Sequence, residues 1–204
     1  MYRIGLAGGM GSGKSEVAAL LEEHGALVVE ADAVARDMVA AGTDVLGELV
    51  GAFGDGILRD DGSLDRRALA EAAFASERTV AVLNAITHPP LVGELVRRAE
   101  ELERENPDGL LVIAAALLVQ WDVLDLFDTV LVVEAPVETR VERLVAGGFS
   151  EADARGRIAS QLSDEEMSSA ADEVITNDGS LEELRAAVDA FWRSLPIHEG
   201  EDQE

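Results

Sequence analysis

Residues 4–16 read IGLAGGMGSGKSE, and within them Gly8-Gly9-Met10-Gly11-Ser12-Gly13-Lys14-Ser15 satisfies the spacing G-x-x-x-x-G-K-[ST]. The apolar run before the glycines reads as a buried strand, and KSEVAALLEE after them reads as an amphipathic helix that stops at Gly25. Strand, glycine loop and helix in that order form a phosphate cradle. The glycines let successive N–H groups turn inward, and the positive end of the helix faces the same anion. Lys14 supplies a mobile cation for the β and γ phosphates, and the Ser15 hydroxyl suits Mg²⁺. Lys14 is also the one lysine among the 16 basic residues of the chain. A chain that otherwise avoids lysine keeps one where a phosphate must be held.

Working outward, apolar runs alternate with amphipathic stretches. ALVVEAD, LLVIAA, TVLVVEA and DEVITN read as four further strands, the middle two almost wholly apolar, as parallel strands covered on both faces must be. Helical patterns fill residues 33–106, broken by the turn-rich FGDGILRDDGS and by HPP at 88–90. Two charged helices lie between residues 137 and 161, split by AGGFS, with Ser150 as N-cap and Asp153 at the capping-box position. SLEELRAAVDAFWRSL closes the chain as an amphipathic helix, and residues 197–204 read as an acidic, disordered tail. The expectation is one α/β domain around a five-stranded parallel sheet flanked by helices, with the ligand site at the carboxyl ends of the strands.

Composition narrows the function. With 41 acidic against 16 basic residues the formal net charge is −25, which repels nucleic acid and anionic membrane surfaces. The chain has no cysteine, so disulfides and thiolate metal sites are excluded. The N-terminal stretch resembles neither a signal peptide nor a membrane span, so a cytoplasmic protein is expected. No heptad or broad apolar stripe stands out, and the expected state is a monomer.

The reaction is narrowed by further residues. A GTPase needs an N-K-x-D segment to read its base, and no second lysine exists to build one. Asp44–Gly47 fits D-x-x-G but lies inside a helical pattern. Strand three ends without an acid, whereas strand two ends in Glu30 and Asp32. An acid in that place is suited to take the proton from a hydroxyl that attacks a γ-phosphate, which points to a small-molecule kinase with Asp32 as base. The alternative reading of Asp32 is as N-cap of the helix that follows.

LAGGMGSGKSEV, GALVVEADAVAR, FGDGILRDDGSLDRRAL, LNAITHPPL, AALLV, FDTVLVVEAPVETRVERL, SEADARGRIASQ and ADEVITNDGSLEEL occur in an order and spacing that resembles the dephospho-CoA kinase family along almost the whole chain. The resemblance implies a P-loop kinase fold and ATP-dependent phosphorylation of the ribose 3′-hydroxyl of dephospho-CoA, the last step of coenzyme A synthesis. It implies a core near 1–32, 109–136 and 172–196, a helical substrate-binding insertion near 33–108 and a lid near 137–167. By position it places ATP on Gly8, Gly9, Met10, Gly11, Ser12, Gly13, Lys14, Ser15 and Glu16, with Arg140, Arg143 and Asn177. It assigns Lys14 and Asp32 to catalysis, Ser15 to Mg²⁺, and Asp32, Arg36, His88, Pro89 and Arg157 to the acceptor. Asn177 could instead cap the last helix.

Several positions depart from the family pattern: Ala7, Glu30, Ala116, Gln120, Gly147 and Met167 stand where a threonine, an aspartate, a proline, a glutamate, an arginine and a lysine are usual. Two other readings remain open at this stage: a P-loop kinase with a nucleoside or nucleotide acceptor, and a non-catalytic ATP-binding protein.

Overall fold

The computed structural model describes residues 1–116, 118–121 and 123–198. In chain order the elements are β1 (Tyr2–Gly8), α1 (Lys14–Glu23), β2 (Leu27–Glu30), α2 (Ala31–Met38), α3 (Asp44–Phe53), α4 (Arg66–Ala73), α5 (Glu77–Glu105), β3 (Leu110–Ala114), β4 (Thr129–Glu134), α6 (Val137–Ala146), α7 (Glu151–Ala159), α8 (Asp164–Ser169), β5 (Glu173–Thr176) and α9 (Leu181–Ser194). They fall into two compact units, one of Met1–Glu30 with the chain from Leu102 onward, the other Ala31–Glu101.

The first unit holds the five-stranded sheet, all parallel, in the order β2-β3-β1-β4-β5. Its central strands are apolar because both faces are covered. Ile4 and Leu6 of β1 are fully buried and pack with Val17, Leu20 and Leu21 of α1 and Leu184 and Val188 of α9. On the opposite face, a Cβ on Gly5 would lie 2.7 Å from the Leu118 side chain and 3.0 Å from Phe127, so glycine lets those residues close over the strand. Parallel pairing brings Gly8, Glu30, Ala114, Glu134 and Thr176 to one edge of the sheet, as the strand pattern requires.

Chain reversals around this sheet follow local chemistry. Gly25 ends the first helix at φ +100°, a conformation glycine adopts without steric cost. Ser150 caps α7 by accepting from the Asp153 N–H, but the Asp153 carboxylate takes the Ser150 hydroxyl instead of reaching back to the backbone. The last helix is capped by Ser180 and Glu183 in a full capping box, which releases Asn177 from that role.

The second unit has its own small core of Leu46, Leu49, Ile57 and Leu64, against which Leu83 and Ile86 pack. Thr43 caps α3, so the D-x-x-G at Asp44 is the first turn of a helix. Asp32 lies inside α2 and is not its N-cap. The break expected at HPP does not occur: α5 is one helix of 29 residues with Pro89 and Pro90 inside it. The two prolines cannot donate to the carbonyls of residues 85 and 86, yet regular turns on both sides carry the helix through. C-terminal to them Glu94 binds both Arg97 and Arg98, and Arg97 also binds Glu101.

No described helix is long and apolar enough to cross a membrane. Of the acidic tail expected over 197–204, residues 197 and 198 belong to a single 3-10 turn, Pro196–His198, and the rest lies outside the described residues.

Candidate active site

The glycine loop leaves the end of β1 and runs into α1 with Gly11 at φ +81° and Gly13 at φ +97°. Gly13 is the N-cap, and the N–H groups of Glu16 and Val17 both bond to its carbonyl. Helix geometry leaves the N–H groups before these without carbonyl partners, at the positive end of α1. Lys14, half-buried, is the first residue of that helix, followed by the exposed Ser15 and Glu16. Within the loop the Ser12 N–H closes a turn on the Gly9 carbonyl at 3.0 Å.

Three side chains hold this loop through its carbonyls. Arg140 Nε donates to the Met10 carbonyl at 2.9 Å. Arg143 Nη1 donates to the Gly11 and Ser12 carbonyls, each at 3.2 Å. Asn177 Nδ2 donates to the Ser12 carbonyl at 2.7 Å, and Arg143 Nη2 reaches the Asn177 backbone and side-chain oxygens at 3.1 and 3.2 Å. Spacing explains the pairing: residues 140 and 143 are three apart on α6, hence on one face. A trans peptide points its C=O and the following N–H in opposite directions, so tying these carbonyls aims the amides of Gly11 and Gly13 the other way.

Glycine is required where these groups approach. A Cβ on Gly9 would collide with Arg140 Nη2, one on Gly13 with Asn177 Nδ2, and one on Gly11 would lie 2.9 Å from the Arg140 carbonyl. Arg140 is 2% exposed and Asn177 6%. Ser12 Oγ is also buried, with no hydrogen-bond partner among the described residues.

Two residues of this network were not singled out by sequence. Gln161 Oε1 accepts the Met10 N–H at 2.8 Å and Arg140 Nη2 at 3.2 Å, and Asp164 accepts Arg140 Nη1 at 2.8 Å. Asp164 opens α8, whose capping box of Ser163 and Glu166 is legible in the sequence as S-x-x-E. Gln161 lies 151 residues from Met10, and no local pattern reports such a contact. Arg157 does not join the network; its guanidinium sits over the Phe149 ring, 5.0 Å from the centroid. Met167, where a lysine is usual in the family, is buried in α8.

In the second unit, Asp32 and Arg36 are exposed, one turn apart on α2. His88 is half-buried in α5 beside the exposed Pro89. Burial pushes the His88 imidazole below its usual 6.5, so the ring is neutral at pH 7 and is suited to hydrogen bonding more than to charge.

No group of three or more His, Asp or Glu among the described residues is arranged to hold a metal. A divalent cation here would take most of its ligands from phosphate and water, and the Ser15 hydroxyl at the end of the cradle fits such a partly solvated ion.

A family model described as Dephospho-CoA kinase matches residues 2–183. A dephospho-CoA kinase from Thermobifida fusca is 47% identical over 197 residues, covering 96% of each chain. One from Corynebacterium glutamicum is 50% identical over 187 residues, 91% of this chain and 93% of that one. Among solved structures, a Thermus thermophilus protein superposes with a TM-score of 0.79 at 36% identity, over 95% of this chain and 97% of its own.

Proposed function

The chain belongs to the dephospho-CoA kinase family and transfers the γ-phosphoryl group of ATP to the ribose 3′-hydroxyl of dephospho-CoA, and we propose that its residues divide that reaction as follows. The observation that carries the reading is the glycine loop of residues 8–15, tied by its carbonyls at the carboxyl edge of a parallel sheet, in a chain matched across residues 2–183.

Amides of residues 8–16 cradle the ATP phosphates, and Lys14 neutralises charge on the β and γ groups. Mg²⁺, brought in with the nucleotide and held on Ser15, supplies further charge neutralisation. Arg143, half-buried against the loop carbonyls, adds a cation beside the phosphate loop, and Asn177 holds the Ser12 carbonyl of the same loop. Asp32 takes the proton from the 3′-hydroxyl as its oxygen bonds to the γ-phosphorus, and the bond to the bridging oxygen breaks to release ADP. Arg36, His88 and Pro89 contact the acceptor, with Arg36 facing its phosphate and the neutral His88 hydrogen-bonding. Arg157 joins the acceptor site when the segment near 137–167 closes over it and excludes water. A cytoplasmic, monomeric enzyme is part of the same proposal, supported by a composition without cysteine and with a net charge of −25.

Replacing Asp32 by Asn tests the assignment of the base. Turnover is expected to fall by about 10²- to 10⁴-fold, the usual worth of a positioned general base, while ATP binds as before. Unchanged turnover in Asp32→Asn would remove the base from this account.

A further inference from the structure

The resemblance places Arg140 on ATP, but each of its three nitrogens already holds a partner in the protein. Nε holds the Met10 carbonyl, Nη1 the Asp164 carboxylate and Nη2 the Gln161 amide oxygen. The side chain is 2% exposed, whereas Asp164 is 37% exposed. Burying a guanidinium is costly unless its charge is paired and its nitrogens find acceptors, and here the charge faces Asp164 and each of the three nitrogens has a partner. Met10 is held on both sides: its N–H by Gln161 and its C=O by Arg140, which also share a hydrogen bond. The four groups form a closed ring around the backbone of a single residue, spanning the two peptide units that meet at Met10.

The loop needs such a ring. Four of the eight residues from Gly8 to Ser15 are glycine, the residue that loses most backbone freedom on ordering. A loop of that composition does not hold one conformation by itself. With the Met10 carbonyl fixed on Arg140, the Gly11 N–H is turned to the opposite side, where the phosphate cradle lies.

We propose that Arg140 is a positioning residue for ATP: with Gln161 and Asp164 it clamps the Met10 backbone and sets the cradle before nucleotide arrives, without touching the nucleotide. The inference rests on the reading of residues 8–16 as the ATP site. It assigns functions to Gln161 and Asp164 that act through the loop, and a Cβ at Gly9 could be accommodated only by moving the Arg140 guanidinium out of the clamp.

The test compares wild type with Arg140→Lys, Gln161→Met and Gln161→Glu, measuring ATP affinity without acceptor, steady-state kinetics and amide exchange at Met10. Lysine keeps the charge opposite Asp164 but lacks the three-way fork. Methionine removes the acceptor of the Met10 N–H, and glutamate restores it. The expected result is ATP affinity and KM for ATP weakened about ten-fold in Arg140→Lys and Gln161→Met, the scale of one net hydrogen bond. At saturating ATP, kcat stays within about two-fold, Gln161→Glu recovers most of the affinity, and Met10 exchanges faster only in the two weakened variants. A fall in kcat at unchanged KM would overturn the proposal, because Arg140 would then act on the transferring phosphoryl group. A loss of thermal stability alone, with ATP affinity unchanged, would overturn it too. Since ATP affinity is measured without dephospho-CoA, failure of the clamp is distinguishable from failure of the kinase reading, which shows as wild-type protein that does not turn over.

Discussion

Alanine at Gly13 carries two separable penalties, and the chain contains a control that measures one of them alone. Gly13 has φ +97° and Gly148 has φ +98°, so alanine pays nearly the same backbone cost at both, about 1–2 kcal/mol. At Gly148 nothing lies within 4 Å of the added carbon. At Gly13 the added carbon collides with Asn177 Nδ2, which donates at 2.7 Å to the Ser12 carbonyl and is 6% exposed. Pushing Asn177 away forfeits that bond and leaves a buried amide unsatisfied, a further cost of about 1–3 kcal/mol. Gly13→Ala is therefore expected to destabilise the protein by about 2 kcal/mol more than Gly148→Ala. Urea denaturation of both variants without nucleotide measures the difference directly. Adding Asn177→Ala should bring the cost of Gly13→Ala down to that of Gly148→Ala, because the obstructing group is then gone. Equal costs for the two glycine substitutions, or a Gly13 cost that survives Asn177→Ala, would refute the close contact between loop and asparagine.

Two further expectations concern titration. Glu94 is held down to about 2 from 4.5, chiefly by its hydrogen bonds to Arg97 and then Arg98. Its stabilising contribution is complete above about pH 4.5 and is lost as pH falls toward 2, since depression of the folded value favours the ionised native state. Glu94→Gln should therefore cost about 0.5–1 kcal/mol at pH 7, as expected for a largely exposed network, and only a small fraction of that at pH 2, read by thermal melts at both values. His88 should titrate below 6.5 in an NMR pH series; a midpoint at or above 6.5 would contradict its desolvation.

The strands and the phosphate loop were legible because their signals are local. Ile4 to Ser15 carries its strand, turn and helix signals within a dozen residues, and the apolar runs at 110–115 and 129–135 have no reading but buried strands. The proline rule failed at residues 89 and 90 because it weighs two lost hydrogen bonds and not the regular turns on either side. The short helix opening at Asp164 was missed, although Ser163 and Glu166 form its capping box, because six residues give too little periodicity to register. At the site, the family resemblance points to Arg140, Arg143 and Asn177 but not to the way they are used. Their partners are carbonyls of Met10, Gly11 and Ser12, more than 100 residues away in the chain. Main-chain acceptors carry no residue identity, so a carbonyl that waits for a guanidinium is invisible in a sequence. Gln161 became visible only through the same long-range geometry.

Acceptor-dependent phosphoryl transfer is read by ADP release from ATP and Mg²⁺ with and without dephospho-CoA. The account predicts turnover that requires dephospho-CoA, with the new phosphate on the ribose 3′-oxygen by phosphorus NMR. ATP that binds but yields no more ADP with dephospho-CoA than without it would contradict the account.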